Sequence, residues 1–172
     1  MSATEAPTLT LAPVRAADRD LVRHLVKATG VFRASEVAIA LEVFDGAAQQ
    51  PGVDYHGLGA YDADQLVGFT LYGQIPGTEA TWDLYWIAVS PSVHRHGVGR
   101  RLMAATETLI AEHAGRLVVV ETSSRPDYDP TRSFYEHLGY ERAAVIPDYY
   151  ARNDGLVVYT KQLIPSSLSS GG

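Results

Sequence analysis

Residues 85–102 read Tyr-Trp-Ile-Ala-Val-Ser-Pro-Ser-Val-His-Arg-His-Gly-Val-Gly-Arg-Arg-Leu, and they impose the order strand, glycine turn, helix. The apolar run 84–89 is rich in strand formers. Pro91 ends it, because proline cannot donate to a sheet ladder. A basic turn follows from His94 to Arg101. Leu102, Met103, Thr106, Leu109, Ile110 and His113 then recur at three- and four-residue spacing, the pattern of an amphipathic helix. The start of such a helix carries unpaired N–H groups and a partial positive charge, which suits a phosphate. Gly97 and Gly99 remove side chains where a phosphate would approach the backbone. Arg95, Arg100 and Arg101 add cationic charge at the same place.

Two common phosphate motifs do not fit. The dinucleotide pattern Gly-x-Gly-x-x-Gly fails because position 102 is Leu, and no Gly-Lys-Ser/Thr follows for a P-loop. A generic nucleotide binder would also need ribose-reading or Mg²⁺-ligating positions, and none can be placed. Glycine turns that bind nothing are common, so the flanking sequence has to decide.

That sequence, 89–103, resembles the acyl-CoA-binding motif of the GNAT (GCN5-related) N-acetyltransferases, Gln/Arg-x-x-Gly-x-Gly/Ala after a strand. Gly97 and Gly99 match, while the Gln/Arg position is His94. A second segment, 129–140, resembles the family's later helix, Asn-x-x-Ala-x-x-x-Tyr-x-x-x-Gly-Phe/Tyr. Tyr135, Gly139 and Tyr140 fall in place, with Tyr128 at the Asn position and Thr131 at the Ala position. The resemblance covers residues 8–163. It implies acetyl-CoA as cosubstrate, its pyrophosphate held by the turn at His94, Arg95, His96, Gly97, Val98, Gly99 and Arg100. It implies that the backbone of Ile87, Ala88 and Val89 pairs with the pantetheine amides, and that the Val89 amide faces the oxyanion. It places Tyr135 as the acid that protonates the CoA thiolate. It also implies homodimerisation as a default.

Composition bounds the rest. A chain of 172 residues, 46 % apolar, is most simply one domain, here 8–164 with flexible termini at 1–7 and 165–172. There is no cysteine, hence no disulfide or thiolate chemistry. A net charge of −6 argues against a nucleic-acid partner, which would need a basic footprint. No apolar stretch reaches the roughly 20 residues of a membrane span, and the first residues lack a signal-peptide pattern. A cytoplasmic protein with no membrane partner is expected.

The chain reads as a strand at 8–14 and a helix capped by Asp18 and ending at Gly30. A second helix runs from Ser35 to near Gly46. A hairpin of strands 56–61 and 66–75 follows, then a strand at 81–90, the helix 98–113 and a Val-rich strand at 116–123. A short helix from Pro130 to Gly139 leads into closing strands at 140–146 and 155–163. The order βααβββαβαββ predicts an α/β fold with a mixed, mostly antiparallel sheet. By resemblance the two central parallel strands splay, and helices cover both faces.

Acyl transfer to an amine needs a base, oxyanion donors and a proton for the thiolate. Glu79, Asp83 and Glu121 are the candidate bases. Glu121 stands in an apolar strand, where burial would raise its pKa and suit it to base work. Its alternative is a structural partner for an arginine or a turn amide. Asp83 reads as a solvated strand residue, and a water chain is a further option. His94 and His96 lack a third ligand at fitting spacing, so no metal is expected. The aromatics of 149–154 either line the acceptor pocket or staple the last hairpin. The expected activity is acetyl transfer to a primary amine of a small molecule or peptide. The alternative is a non-catalytic acyl-CoA-binding module.

Overall fold

The computed structural model describes residues 8–163; the expected flexible termini lie outside the described residues. Its elements are β1 (Leu9–Pro13), α1 (Arg19–Ala28), α2 (Ala34–Gln49), β2 (His56–Asp62), β3 (Gln65–Gln74) and β4 (Thr81–Val89). They continue as α3 (Val98–Glu112), β5 (Leu117–Ser123), α4 (Asp129–His137), β6 (Glu141–Ala151) and β7 (Asp154–Gln162). This is the order that the periodicities predict. Short 3₁₀ turns precede α1, α3 and α4. Among the described residues no helix is long and apolar enough to cross a membrane.

The strands form one sheet in the order β1-β2-β3-β4-β5-β7-β6. β1–β2, β2–β3, β5–β7 and β6–β7 pair antiparallel. The β3–β4 connection is closed by Ile75 N–H to Thr81 O at 2.8 Å, and Ser90 N–H bonds Val67 O at 2.7 Å, so these strands are antiparallel too. β4 and β5 are the parallel pair. Their ladder runs from Thr81↔Leu117 to Leu84↔Val120 and ends there, although β4 continues to Val89 and β5 to Ser123.

Two compact units carry this topology. The first takes in residues 8–72 together with Trp86–Thr106. Its core includes Val22, Val26, Phe44, Phe69, Leu102 and Met103, all essentially inaccessible to water. Burial stabilises by about 1.5–3 kcal/mol for each large apolar side chain. The buried hydroxyls of Thr70 and Thr106 satisfy each other at 2.8 Å. The second unit takes in Gly73–Tyr85 and residues 107–163. Its core includes Trp82, Ile110, Val118, Tyr135 and Tyr159.

Several boundaries differ from the sequence expectation for identifiable reasons. α2 runs through Gly46 to Gln49. Gly46 is no helix stop; a Cβ there would lie 2.8 Å from the Tyr55 ring. The N-cap of α2 is Arg33, two residues before Ser35, and the Glu36 carboxylate accepts the Arg33 N–H at 2.6 Å. The β2–β3 turn is closed by Ala63 and Asp64, both left-handed (φ 47° and 67°), as a two-residue hairpin with strand twist requires. β6 extends to Ala151, so Tyr149 and Tyr150 belong to the strand and not to the loop.

Candidate functional site

The turn between β4 and α3 lies in the first unit. Pro91 opens a 3₁₀ turn, Pro91–His96. Val93 is buried and pins it, and Val93 N–H bonds Ser90 O at 3.0 Å. Gly97 follows with φ 67° and ψ 21°, a left-handed conformation that glycine adopts without strain. Its carbonyl accepts the Arg101 N–H at 3.0 Å, the first bond of α3. The N–H groups of Val98, Gly99 and Arg100 therefore stand in the first turn, where a helix offers no internal acceptor. Val98, Leu102 and Met103 are buried and fix that helix end. Gly68 on β3 permits the packing: a Cβ there would meet Leu102 Cδ1 at 3.1 Å and Ala88 O at 3.2 Å. A Cβ on Gly97 would meet nothing within 4 Å, so the space in front of this turn is open.

The side chains around the turn divide into two kinds. His94 Nε2 lies 2.8 Å from Val89 O. A carbonyl only accepts, so Nε2 carries the proton and the ring ties the turn to the end of β4. The histidine at this position braces the loop from within. Its Nδ1 remains on the other side of the ring. Arg101 is engaged elsewhere, donating to Leu9 O at 3.4 Å. His96 and Arg100 are exposed, and Gly99 is half-buried. Arg95 belongs to the turn, and its side chain lies outside the described residues. Ile87 and Val89 are half-buried and Ala88 is buried; all three lie beyond the last residue pair of the β4–β5 ladder.

The second unit holds the acid–base candidates. Asp83 on β4 pairs in register with Val119 on β5, and Glu121 stands two residues further, on the same face of the strand. Glu121 is exposed, contrary to the burial expected of it from its Val-rich strand. Strand alternation explains this: Val118, Val120 and Thr122 take the buried positions, and Glu121 takes the open face. Asp83 is the half-buried carboxylate instead. Burial first, and then the charge of Glu121, push its pKa from 3.8 up to about 6. Glu79 contributes its backbone, its carbonyl accepting from Arg116 Nε at 3.0 Å.

Tyr135 sits on α4, which begins at Asp129, with Pro130 as its second residue, and ends at His137, with the left-handed Gly139 (φ 88°) two residues beyond. Its ring lies 5.6 Å from Tyr140 and 6.3 Å from Tyr159. Those two hydroxyls donate to carboxylates, Tyr140 to Glu107 at 2.9 Å and Tyr159 to Glu136 at 2.8 Å. Burial, with the nearby Tyr128 as a lesser cause, raises the Tyr135 pKa well above the phenol range. The phenol is a proton carrier at any physiological pH.

A polar network orients the segment that leads into α4. The Ser123 hydroxyl donates to buried Asp154 at 2.5 Å and accepts the Arg125 N–H at 3.0 Å. Arg132 donates to the carbonyls of Ser123 and Arg125 and pairs with Asp129. The partners lie from two to thirty-one positions apart in the chain, and the network matches no local motif.

Among the described residues no group of three or more His, Asp or Glu is placed to hold a metal ion. A model of the GNAT acetyltransferase domain matches residues 54–142. An uncharacterized protein of Mycobacterium leprae is 34 % identical over 96 residues, 54 % of this chain. The chain spans only about a quarter (25 %) of the length of that curated relative. A GNAT-family structure from Desulfovibrio desulfuricans is 36 % identical, with a TM-score of 0.86 over 90 % of this chain and 99 % of the other. An aminoglycoside 6′-N-acetyltransferase complexed with coenzyme A has a TM-score of 0.72 at 21 % identity, over 91 % of this chain and 98 % of the other. It attests the fold alone.

Proposed function

The chain belongs to the GNAT acetyltransferase family, and from that premise we propose that it moves an acetyl group from acetyl-CoA to a primary amine. The observation that carries the reading is the turn at α3. It offers three consecutive first-turn N–H groups behind an open, left-handed Gly97. The pyrophosphate of acetyl-CoA is the anion that such a turn suits, and exposed Arg100 and His96 are near in sequence. His94 keeps the turn folded onto the end of β4.

The chemistry follows from the acid–base pair. The acceptor arrives as R–NH₃⁺, which has no lone pair. Asp83, with a pKa of about 6, is ionised at neutral pH yet more basic than an ordinary carboxylate, so it takes the first proton and passes it to water. The nitrogen attacks the thioester carbon, the C–N bond forms and the C–S bond breaks. The second nitrogen proton balances the one that Tyr135 gives to the departing thiolate. The products are R–NH–CO–CH₃ and CoA thiol. Glu121 acts on this step through its charge, which helps to hold the Asp83 pKa up.

The test is thiol release from acetyl-CoA in the presence of a panel of primary amines, with the acetylated product identified by mass. Amine-dependent release with a 42 Da gain on the acceptor (the mass of an added acetyl, about that of C₂H₂O) supports the reading. Acetyl-CoA binding without turnover on any amine would favour the non-catalytic binding module.

A further inference from the structure

The hairpin of β6 and β7 carries a feature that neither folding nor the transfer chemistry uses. Tyr149 and Tyr150 are 54 % and 39 % exposed. Consecutive residues of a regular strand point to opposite faces, yet these rings stand perpendicular with centroids 4.9 Å apart. The strand is irregular there. Its register with β7 breaks between Ile146 and Ala151, and Asp148 has φ 55°. The Asp148 carboxylate accepts the Asn153 N–H at 2.7 Å and holds the excursion. Bulges of this kind re-aim side chains, and here both aromatic rings are turned together.

Two acidic groups act on Tyr150, while the Arg125 guanidinium lies 5.3 Å from the centre of the neighbouring Tyr128 ring. The Tyr150 hydroxyl feels Glu121 and Asp154 and has Tyr128 and Tyr149 as further neighbours. Asp154 is already engaged, by the Ser123 hydroxyl and by Arg125 at 4.0 Å. Arg125 is shared with Asp127 at 3.3 Å, and Arg132 with Asp129. Among the described residues, Asp83 and Glu121 have no ion-pair partner. An exposed pair of aromatic rings, one of them within the electrostatic reach of an unneutralised carboxylate, attracts a cation, through the ring quadrupole and through charge, and repels an anion.

The ammonium that becomes acetylated cannot be that cation throughout, since it must lose its charge before it attacks. Resting on the acetyl-transfer reading above, we propose that the acceptor carries a second positive charge and that Tyr149, Tyr150 and Glu121 hold it. A charge that persists through the reaction orients the acceptor while Asp83 deprotonates the other end. The substrate class is then a diamine, or an amine next to a fixed cation, in preference to a neutral or acidic amine.

Two probes of matched length test this, 1,4-diaminobutane and 1-aminobutane. The wild-type chain is expected to prefer the diamine by about tenfold or more in kcat/KM. Tyr150→Ala and Glu121→Gln are each expected to raise KM for the diamine about three- to tenfold, the range of a partly desolvated cation–aromatic or charge contact. Neither change should alter acetyl-CoA affinity, and Tyr150→Phe, which keeps the ring, should retain the preference. Equal use of both amines, or a loss in Tyr150→Ala that is the same for both, would overturn the proposal. If neither amine is acetylated, the transfer reading is decided by the wider amine panel, and calorimetric titration of the diamine still decides the cation site. Binding that weakens in Tyr150→Ala supports it, and absent or unchanged binding overturns it.

Discussion

Asp83→Asn separates a working base from a structural carboxylate because it changes activity and stability in opposite directions. In the folded chain the Asp83 pKa is raised from 3.8 to about 6. A carboxyl whose folded pKa lies above its unfolded value favours folding while it is protonated in both states. That advantage disappears as pH rises from about 4 through about 6, so at pH 7–8 the ionised side chain destabilises the fold. A rise from 3.8 to about 6 corresponds to about 3 kcal/mol. The carboxyl is only half-buried and water screens it, so about 1–2 kcal/mol is the realistic cost. Asn is nearly isosteric and uncharged, and it removes that cost. For a chain of this size each kcal/mol moves the melting temperature by about 2–4 °C. At pH 7.5 the variant should therefore melt a few degrees higher. Its kcat/KM should fall by about 10²–10⁴, the usual worth of general base catalysis.

The pH profile gives the companion measurement. With a base of pKa about 6, kcat/KM for the wild-type chain should fall below pH 6 and be about tenfold down at pH 5. That limb should vanish in Asp83→Asn. In Glu121→Gln it should move to lower pH without reaching 4, because burial is the larger cause of the shift and remains. A variant Asp83→Asn that keeps full turnover, or that melts lower than the wild type, would refute the assignment of Asp83 as base.

Other consequences follow from the same geometry. Gly97→Glu places a side chain, strained at φ 67°, and a negative charge in front of the α3 amides; acetyl-CoA affinity should drop at least about tenfold, or about 1.4 kcal/mol, by calorimetry. Tyr135→Phe keeps the aromatic packing and removes the proton, so kcat should fall by about 10² or more with acetyl-CoA binding unchanged; full turnover would end the acid role. Gly68→Val drives a side chain into Leu102 and Ala88 O; it should destabilise by about 1–3 kcal/mol in a denaturant titration and weaken acetyl-CoA binding by displacing the start of α3. Unchanged stability would mean that Leu102 moves freely.

The sequence was legible where local chemistry dictates structure. Pro91, Gly97 and the three- and four-residue apolar spacing suffice to place β4, its turn and α3, because each acts on its own backbone. The hairpin at Ala63 and Asp64 was legible as a turn for the same reason. What stayed hidden depends on partners distant in the chain. Gly46 looks like a helix stop until Tyr55 is seen against it. The bond from the His94 ring to Val89 O is not announced by the local sequence. Asp83 and Glu121 exchanged expected environments because strand alternation assigns the open face to Glu121, and composition cannot set that phase. The paired orientation of Tyr149 and Tyr150 depends on a bulge that no local pattern announces. The acceptor side of the chemistry was thus the least readable part.

The most direct test of the central claim is calorimetric titration of acetyl-CoA into the full chain, repeated with free CoA. The turn at α3 predicts binding of both with dissociation constants of about micromolar order, or about −8 kcal/mol. A folded chain that binds neither at millimolar ligand would contradict the account, for the left-handed Gly97 and the helix amides behind it would then hold no pyrophosphate.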